Sequence, residues 1–365
     1  MRRLERALVN EFIELVSIDS ESGCEAELAA LVMNKLRDIG LDVEMDDAGS
    51  KFGGNAGNVI GRAGEGDPII LCAHLDRVKP GKGIKPVVEN GIIRSSGDTV
   101  LAADDISGVV AILAGLREVK KRRPLPAVEV VFTVSEETHL QGSRHLDYTR
   151  LRSKMAYIFD GTGPVGTIVT SSPTQVGFEA HVAGRAAHAA VNPEDGVSAI
   201  RAVAFAISKL PFGWVDDHTT TNVGVLNGGA ATNIVCDSVR FKGEIRSLVE
   251  SRVSELANEF VSIITSETEA HGAKAEVLTK VEYNGYTINV NAPVVQRIVE
   301  ALARIGIPAT FESTMGGSDG NIFNANGISS IVLGTGCQLV HSTREFIPAS
   351  ELLASAKLVE SLLVV

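Results

Sequence analysis

The sequence predicts an α/β protein: a mostly parallel mixed sheet with helices on both faces, interrupted by an inserted ferredoxin-like α+β domain. Three observations lead there. Strand-like and helix-like stretches alternate through the first 160 residues or so. The strand-like stretches begin as unbroken apolar runs, as in PIILCAHLD, which is the pattern of parallel strands covered on both sides. Between residues 175 and 285 the pattern becomes β-α-β-β-α-β.

Leu4, Leu8, Phe12 and Leu15 recur at helical spacing. Leu28, Leu31, Val32, Leu36 and Ile39 form a second helix, which Gly40 stops because glycine accepts the left-handed conformation of a helix end. PIILCAHLD follows as a strand. Ile106, Val109, Val110, Leu113 and Leu116 line one face of a helix that begins near Asp104. AVEVVFTVSEE and KMAYIFDG are further strands. TQVGFEAHVAGRAAHAA then alternates loosely, like an exposed strand. The helix VSAIRAVAFAISKL, the segments TNVGVLNGG and IVCDSVRFKGEIRSL, the long helix VSELANEFVSIITSETEAHG and the strand KAEVLTKVEY complete the inserted set. After Tyr286 the first pattern resumes with a helix in VVQRIVEALARIG, a strand in GISSIVLGTG and a final helix in SELLASAKLVESLLVV. The expected domains are 1–174 with 286–365, and 175–285 inserted.

The chain has 365 residues, 44% hydrophobic and 22% charged, with a net charge of −11. That composition is globular and long enough for two domains. The acidity argues against nucleic acid or an anionic membrane as partner, since both call for a basic surface. Cys24, Cys72, Cys236 and Cys337 form no C-x-x-C pair, so a reducing, cytoplasmic setting is expected. The amphipathic N-terminus lacks the continuous apolar core of a signal peptide. No segment reaches the ~20 apolar residues that cross a bilayer.

Acids and imidazoles stand at the ends of the expected strands. His74 and Asp76 lie two apart in LCAHLD, on one side of an extended chain. The pair suits a metal ligand with a carboxylate holding its second nitrogen, and suits a capped strand end equally. Asp104 and Asp105 open a helix, where carboxylates often serve only as caps. A carboxylate there also has two oxygens with which to bridge two cations. Glu136 and Glu137 end VVFTVSEE, where a turn would splay them around one site. Asp160 ends MAYIFDG, and His341 follows the strand in GISSIVLGTG. Ligands of open α/β sheets gather beyond the carboxyl ends of the strands, and several separate strands here lead to a candidate ligand.

In this order, AHLD, AADDISG, SEE, DG and HSTREF resemble the peptidase T branch of the zinc metallopeptidase family that includes peptidase T, carboxypeptidase G and acetylornithine deacetylase. GRAAHAAVNPEDGVSAI, GGAATNIV and GGSDG extend the resemblance over nearly the whole chain. It implies one zinc on His74, Asp104 and Asp160 and a second on Asp104, Glu137 and His341. It implies Glu136 as general base and Asp76 as the residue that orients His74. His188 would reach from the inserted lid and dimerisation domain to stabilise an oxyanion, Arg246 would bind a substrate carboxylate, and Asn233 would line the site. By residue type alone, Arg246 is equally a strand-edge ion pair, and His188 reads first as a loop histidine in a small-residue turn. Ile106 stands where the family often has lysine. A related two-metal aminopeptidase family places its inserted domain between the first histidine and the bridging aspartate. Here those are 30 positions apart, too few for a domain.

The expectation is therefore a cytoplasmic, homodimeric aminopeptidase or tripeptidase that hydrolyses short peptides with two divalent cations, zinc first, cobalt or manganese accepted by the same ligands. The alternatives are a deacylase, carboxypeptidase or dipeptidase on the same metal site, or a non-catalytic metal-binding protein. A serine hydrolase is disfavoured, because no G-x-S-x-G nucleophile elbow is expected and Ser135 stands before two glutamates.

Overall fold

The structure, a computed structural model, describes residues 3–364; residues 1, 2 and 365, at the ends of the expected outer domain, lie outside it. The chain forms two compact units. One comprises residues up to Ser171, Thr287–Ser313 and the chain from Ser318 onward; the other comprises Ser172–Tyr286 and Thr314–Gly317.

The first unit is built on a large mixed sheet. Its middle strands run parallel, in the order Val128–Thr133, Ile69–His74, Met155–Gly161, Ser329–Gly334. Antiparallel strands flank them. Val59–Ala63 and then Asp42–Met45 continue one side, and Thr167–Ser172 pairs with Ser329–Gly334 on the other. A small sheet of Pro86–Glu89, Ile92–Ser95 and Phe346–Pro348 stands apart.

The unbroken apolar runs are explained by burial on both faces. Leu71, Ala73, Val130, Phe132, Tyr157 and Phe159 enter one core, against the helices Arg3–Val16, Ala26–Ile39, Ala103–Lys120, Pro293–Arg304 and Ala349–Leu362. Ile70, Cys72, Val131, Ala156 and Ile158 enter another, with Leu146, Leu151 and Phe323. Each fully buried valine, leucine, isoleucine or phenylalanine among them stabilises the fold by about 1.5–3 kcal/mol.

Gly40 ends the second helix at φ 102°, in the left-handed region expected of it. The helix Ala103–Lys120 departs from the one-faced expectation: it is buried almost all round, from Ala103 to Leu116 except Asp104. Glycine makes this possible. A Cβ on Gly115 would lie 2.4 Å from Val359 Cγ1, and one on Gly108 would lie 2.3 Å from the Phe159 carbonyl oxygen. The helix therefore sits close against both the strand Met155–Gly161 and the helix Ala349–Leu362.

The second unit has its own core, with Phe178, Phe241 and Phe260 at its centre. Its sheet runs Gly213–Asp216, Thr219–Gly228, Ser238–Ser247, Thr174–Ala183, Lys274–Tyr283, antiparallel throughout. Apart from the short added strand Gly213–Asp216, that is the order of a ferredoxin-like module, with Ala199–Lys209 and Glu250–Ala270 as its helices.

Candidate metal centre

His74 and Asp160 are brought together by strand register. Cys72 pairs with Ile158 in the parallel ladder, so two residues on, at the same face, His74 meets Asp160. His74 Nε2 lies 3.5 Å from Asp160 Oδ1. Its Nδ1 lies 3.0 Å from the main-chain oxygen of Asp76 and 3.4 Å from Asp76 Oδ1. These partners assign the ring proton to Nδ1 and turn Nε2 toward the acids.

Asp104 stands between two histidines. Its Oδ1 lies 3.1 Å from His74 Nε2, and its Oδ2 lies 3.3 Å from His341 Nε2. Asp104 and Asp105 form the non-helical lead of Ala103–Lys120, and the peptide between them is cis. Asp105 faces inward: its Oδ2 accepts the His74 amide at 3.1 Å and its Oδ1 accepts the Gly108 amide at 3.2 Å. His341 has φ +57°, an uncommon conformation for a side-chain-bearing residue, and its Nε2 lies 2.8 Å from Glu137 Oε1.

The two glutamates are set by a turn at Ser135, φ +52°. Buried Glu25 holds that turn, its Oε1 accepting the Ser135 amide at 3.0 Å and hydroxyl at 2.8 Å. The next two amides then point at Asp76: Glu136 N–H donates to Oδ1 at 2.8 Å and Glu137 N–H to Oδ2 at 3.2 Å. Asp76 thus touches His74 most closely through its main chain, and its carboxylate organises the glutamate turn. The Glu136 carboxyl itself has no hydrogen-bond partner among the described residues.

Buried acids crowd this site. Burial, with repulsion from Asp160 next, pushes the Glu136 carboxyl well above its usual range and raises Asp105 likewise. Burial raises Glu137, and it pushes Asp160 up to about 7. At Asp104 burial is outweighed by hydrogen bonds to His341 and His74, and the carboxyl is held low. Burial alone would lower the His74 imidazole; hydrogen bonds to Asp104, Asp160 and Asp76 hold it well above its ordinary value. Hydrogen bonds to Asp104 and Glu137 push His341 up to about 10.

Carboxylates outnumber imidazoles in a buried space, and that excess calls for cations. The ligand atoms of His74, Asp104 and Glu137 lie within 4.8 Å of one another, as do those of His74, Asp105 and Asp160. Two imidazole nitrogens and several carboxylates form a donor set that zinc, cobalt or manganese accepts. The residues present therefore fit a pair of divalent cations.

Within the second unit, the motifs containing His188 and Asn233 meet as a short ladder. His188 bridges Ile234, and the Ala189 amide donates to the Asn233 carbonyl at 2.9 Å. Both side chains are exposed. Arg246 is half-buried and already engaged, its Nε and Nη2 on the Glu244 carboxylate at 2.9 and 3.0 Å and its Nη1 on the Met315 carbonyl at 3.2 Å.

Two residues carried no signal in the expected motifs. Glu345, inside HSTREF, is buried and accepts amides from Leu101, Ala102 and Asp104; burial pushes its carboxyl up to about 7. Glu25 anchors the Ser135 turn. A correction concerns the serine elbow: residues 316–320, GGSDG, do have G-x-S-x-G spacing. Ser318, however, caps the helix Asp319–Ala325, its hydroxyl accepting the Gly320 amide at 3.2 Å in a capping box with Asn321.

The chain resembles known proteins over nearly its whole length. The profile of peptidase family M20/M25/M40 matches residues 70–364. The aminopeptidase PepT of Bacillus cereus is 38% identical, with 98% of each chain covered and a TM-score of 0.89. A tripeptidase of Staphylococcus aureus is 37% identical, with 98% of this chain and 97% of that one covered and a TM-score of 0.93. The Bacillus subtilis protein YqjE is 37% identical over 98% of both chains.

Proposed function

The chain belongs to peptidase family M20/M25/M40 as a peptidase T-like metal-dependent peptide hydrolase, and from that premise we propose that it removes the N-terminal residue of short peptides using two zinc ions. The observation that carries the reading is Asp104, which offers one oxygen beside His74 and the other beside His341. In this reading His74, Asp104 and Asp160 would hold one cation, and Asp104, Glu137 and His341 would hold the other. Cobalt or manganese would suit the same donors.

Bound there, the cations supply electrophilic polarisation of the peptide carbonyl and make water acidic enough to attack near neutral pH. Glu136 would take the proton from the attacking water. Its carboxyl is buried, unpartnered and beside the ligands, and cations would draw its affinity for protons back down, so that it accepts a proton and passes it to the departing amine. Asp76 keeps Glu136 in place through the main-chain amide. His188 would donate to the developing oxyanion, Arg246 would fork onto a terminal carboxylate, and Asn233 would line the substrate. Residues 175–285 would act as lid and dimerisation domain within 1–174 and 286–365, in a cytoplasmic homodimer.

The test is cleavage of tripeptides, dipeptides, N-acetylated peptides and N-acyl amino acids, with and without chelator. Chelator-sensitive release of N-terminal residues from tripeptides supports the proposal. Preference for N-acyl amino acids makes the protein a deacylase on the same site, and turnover unaffected by chelator overturns the reading.

A further inference from the structure

We propose that Glu345 is a positioning residue for the metal centre: its carboxylate fixes the bridging Asp104 relative to His341. This rests on the two-cation reading above and adds a residue that touches neither cation nor peptide in it.

Glu345 is 2% exposed. Its Oε2 accepts the amides of Leu101 at 2.7 Å and Ala102 at 2.9 Å, and its Oε1 accepts the amide of Asp104 at 3.0 Å. Ala102 has φ 60°, and the left-handed step curls successive amides around the carboxylate as an anion-binding nest. Those three donors belong to the segment that presents Asp104. The other end of Glu345 is fastened to the turn that presents His341: its amide donates to the Ser342 carbonyl at 3.1 Å. Some 240 positions separate the two segments, and this one side chain clasps them together.

Charge and geometry both matter in the clasp. A carboxylate offers acceptors to all three amides, each strengthened by its charge. Glutamine offers one oxygen, and its NH2 would face either the Asp104 amide or the other two, donor against donor in a buried place. His74 and Asp160 are seated by strand register and do not depend on Glu345. The pair most exposed to its loss is Asp104 Oδ2 with His341, the bridge to the second cation.

The experiment is titration of the cation-free full-length protein with zinc and with manganese, for wild type, Glu345→Gln and Glu345→Asp, followed by steady-state kinetics on a tripeptide. The expected result is two equivalents bound by wild type. In Glu345→Gln a first equivalent should bind nearly as in wild type and a second about tenfold or more weaker, with kcat lowered more than KM is raised. Glu345→Asp should restore part of the second affinity by keeping the charge. Wild-type affinity for both cations in Glu345→Gln overturns the proposal; should that variant not fold, the same result in Glu345→Asp does so. Fewer than two equivalents in wild type defeats the two-cation reading itself, and this inference with it.

Discussion

His74 lies beside Asp160 because Cys72 lies beside Ile158: the ladder that pairs the two apolar residues carries the imidazole to within 3.5 Å of the carboxylate two positions later. This part of the centre is seated by backbone hydrogen bonds of the sheet. The Asp104 and His341 part is seated by side chains, and the two parts should respond differently to mutation.

Glu136→Gln should lower turnover steeply while leaving cation binding intact. The amide cannot accept the proton, and loss of a positioned base lowers kcat by about 10²–10⁴-fold. Metal content measured beside kcat checks both halves. A variant that keeps wild-type turnover refutes Glu136 as base.

Cation affinity should rise with pH. Asp104 and Glu137 hold the His341 imidazole at about 10, so in the cation-free protein near neutral pH it carries a proton, which it must lose to become a ligand. Binding therefore releases protons, and competition from them fades as pH climbs toward that value. Calorimetric titration near neutral pH, in two buffers of different ionisation enthalpy, reads the release directly; a binding heat indifferent to buffer contradicts it.

Gly108→Ala should destabilise the protein and loosen the centre together. The added methyl would lie 2.3 Å from the Phe159 carbonyl and 2.6 Å from Asp105 Oδ1, so the helix must retreat from the strand that carries Asp160. Overpacking of this kind costs about 1–3 kcal/mol. Thermal melting of the cation-free protein and the affinity of its first cation should fall in parallel.

Arg246→Ala should raise KM for peptides with a free terminal carboxylate by about 10- to 100-fold, the worth of a charge-assisted pair. Amidated peptides should be little affected. An equal loss on both substrates would show that Arg246 only straps Glu244 to the Met315 carbonyl.

The parallel core of the fold was legible because burial on both faces writes itself into stretches such as residues 69–73 as unbroken apolar sequence. The acids and imidazoles at the strand ends were legible for the same reason, since polar ligands stand out where an apolar run stops. The flanking strands Asp42–Met45 and Val59–Ala63 are short and mark no such contrast. Glu345 and Glu25 were not legible. A glutamate that grips amides far along the chain reads locally like any surface charge, and the left-handed turn at Ser135 is held by such a distant grip rather than announced by its residue type.

Thr314–Gly317 has a practical consequence for anyone who would treat the α+β unit as a removable cassette. The four residues pack with Ser172–Tyr286 although they are reached only through the other unit's chain. The Met315 carbonyl receives Arg246, and the Gly316 carbonyl receives the Ser172 hydroxyl at 2.9 Å. Cutting at Ser172 and Tyr286 would take the Met315 and Gly316 carbonyls away from those donors. A faithful swap between relatives must transplant two stretches of polypeptide, the second only a tetrapeptide long.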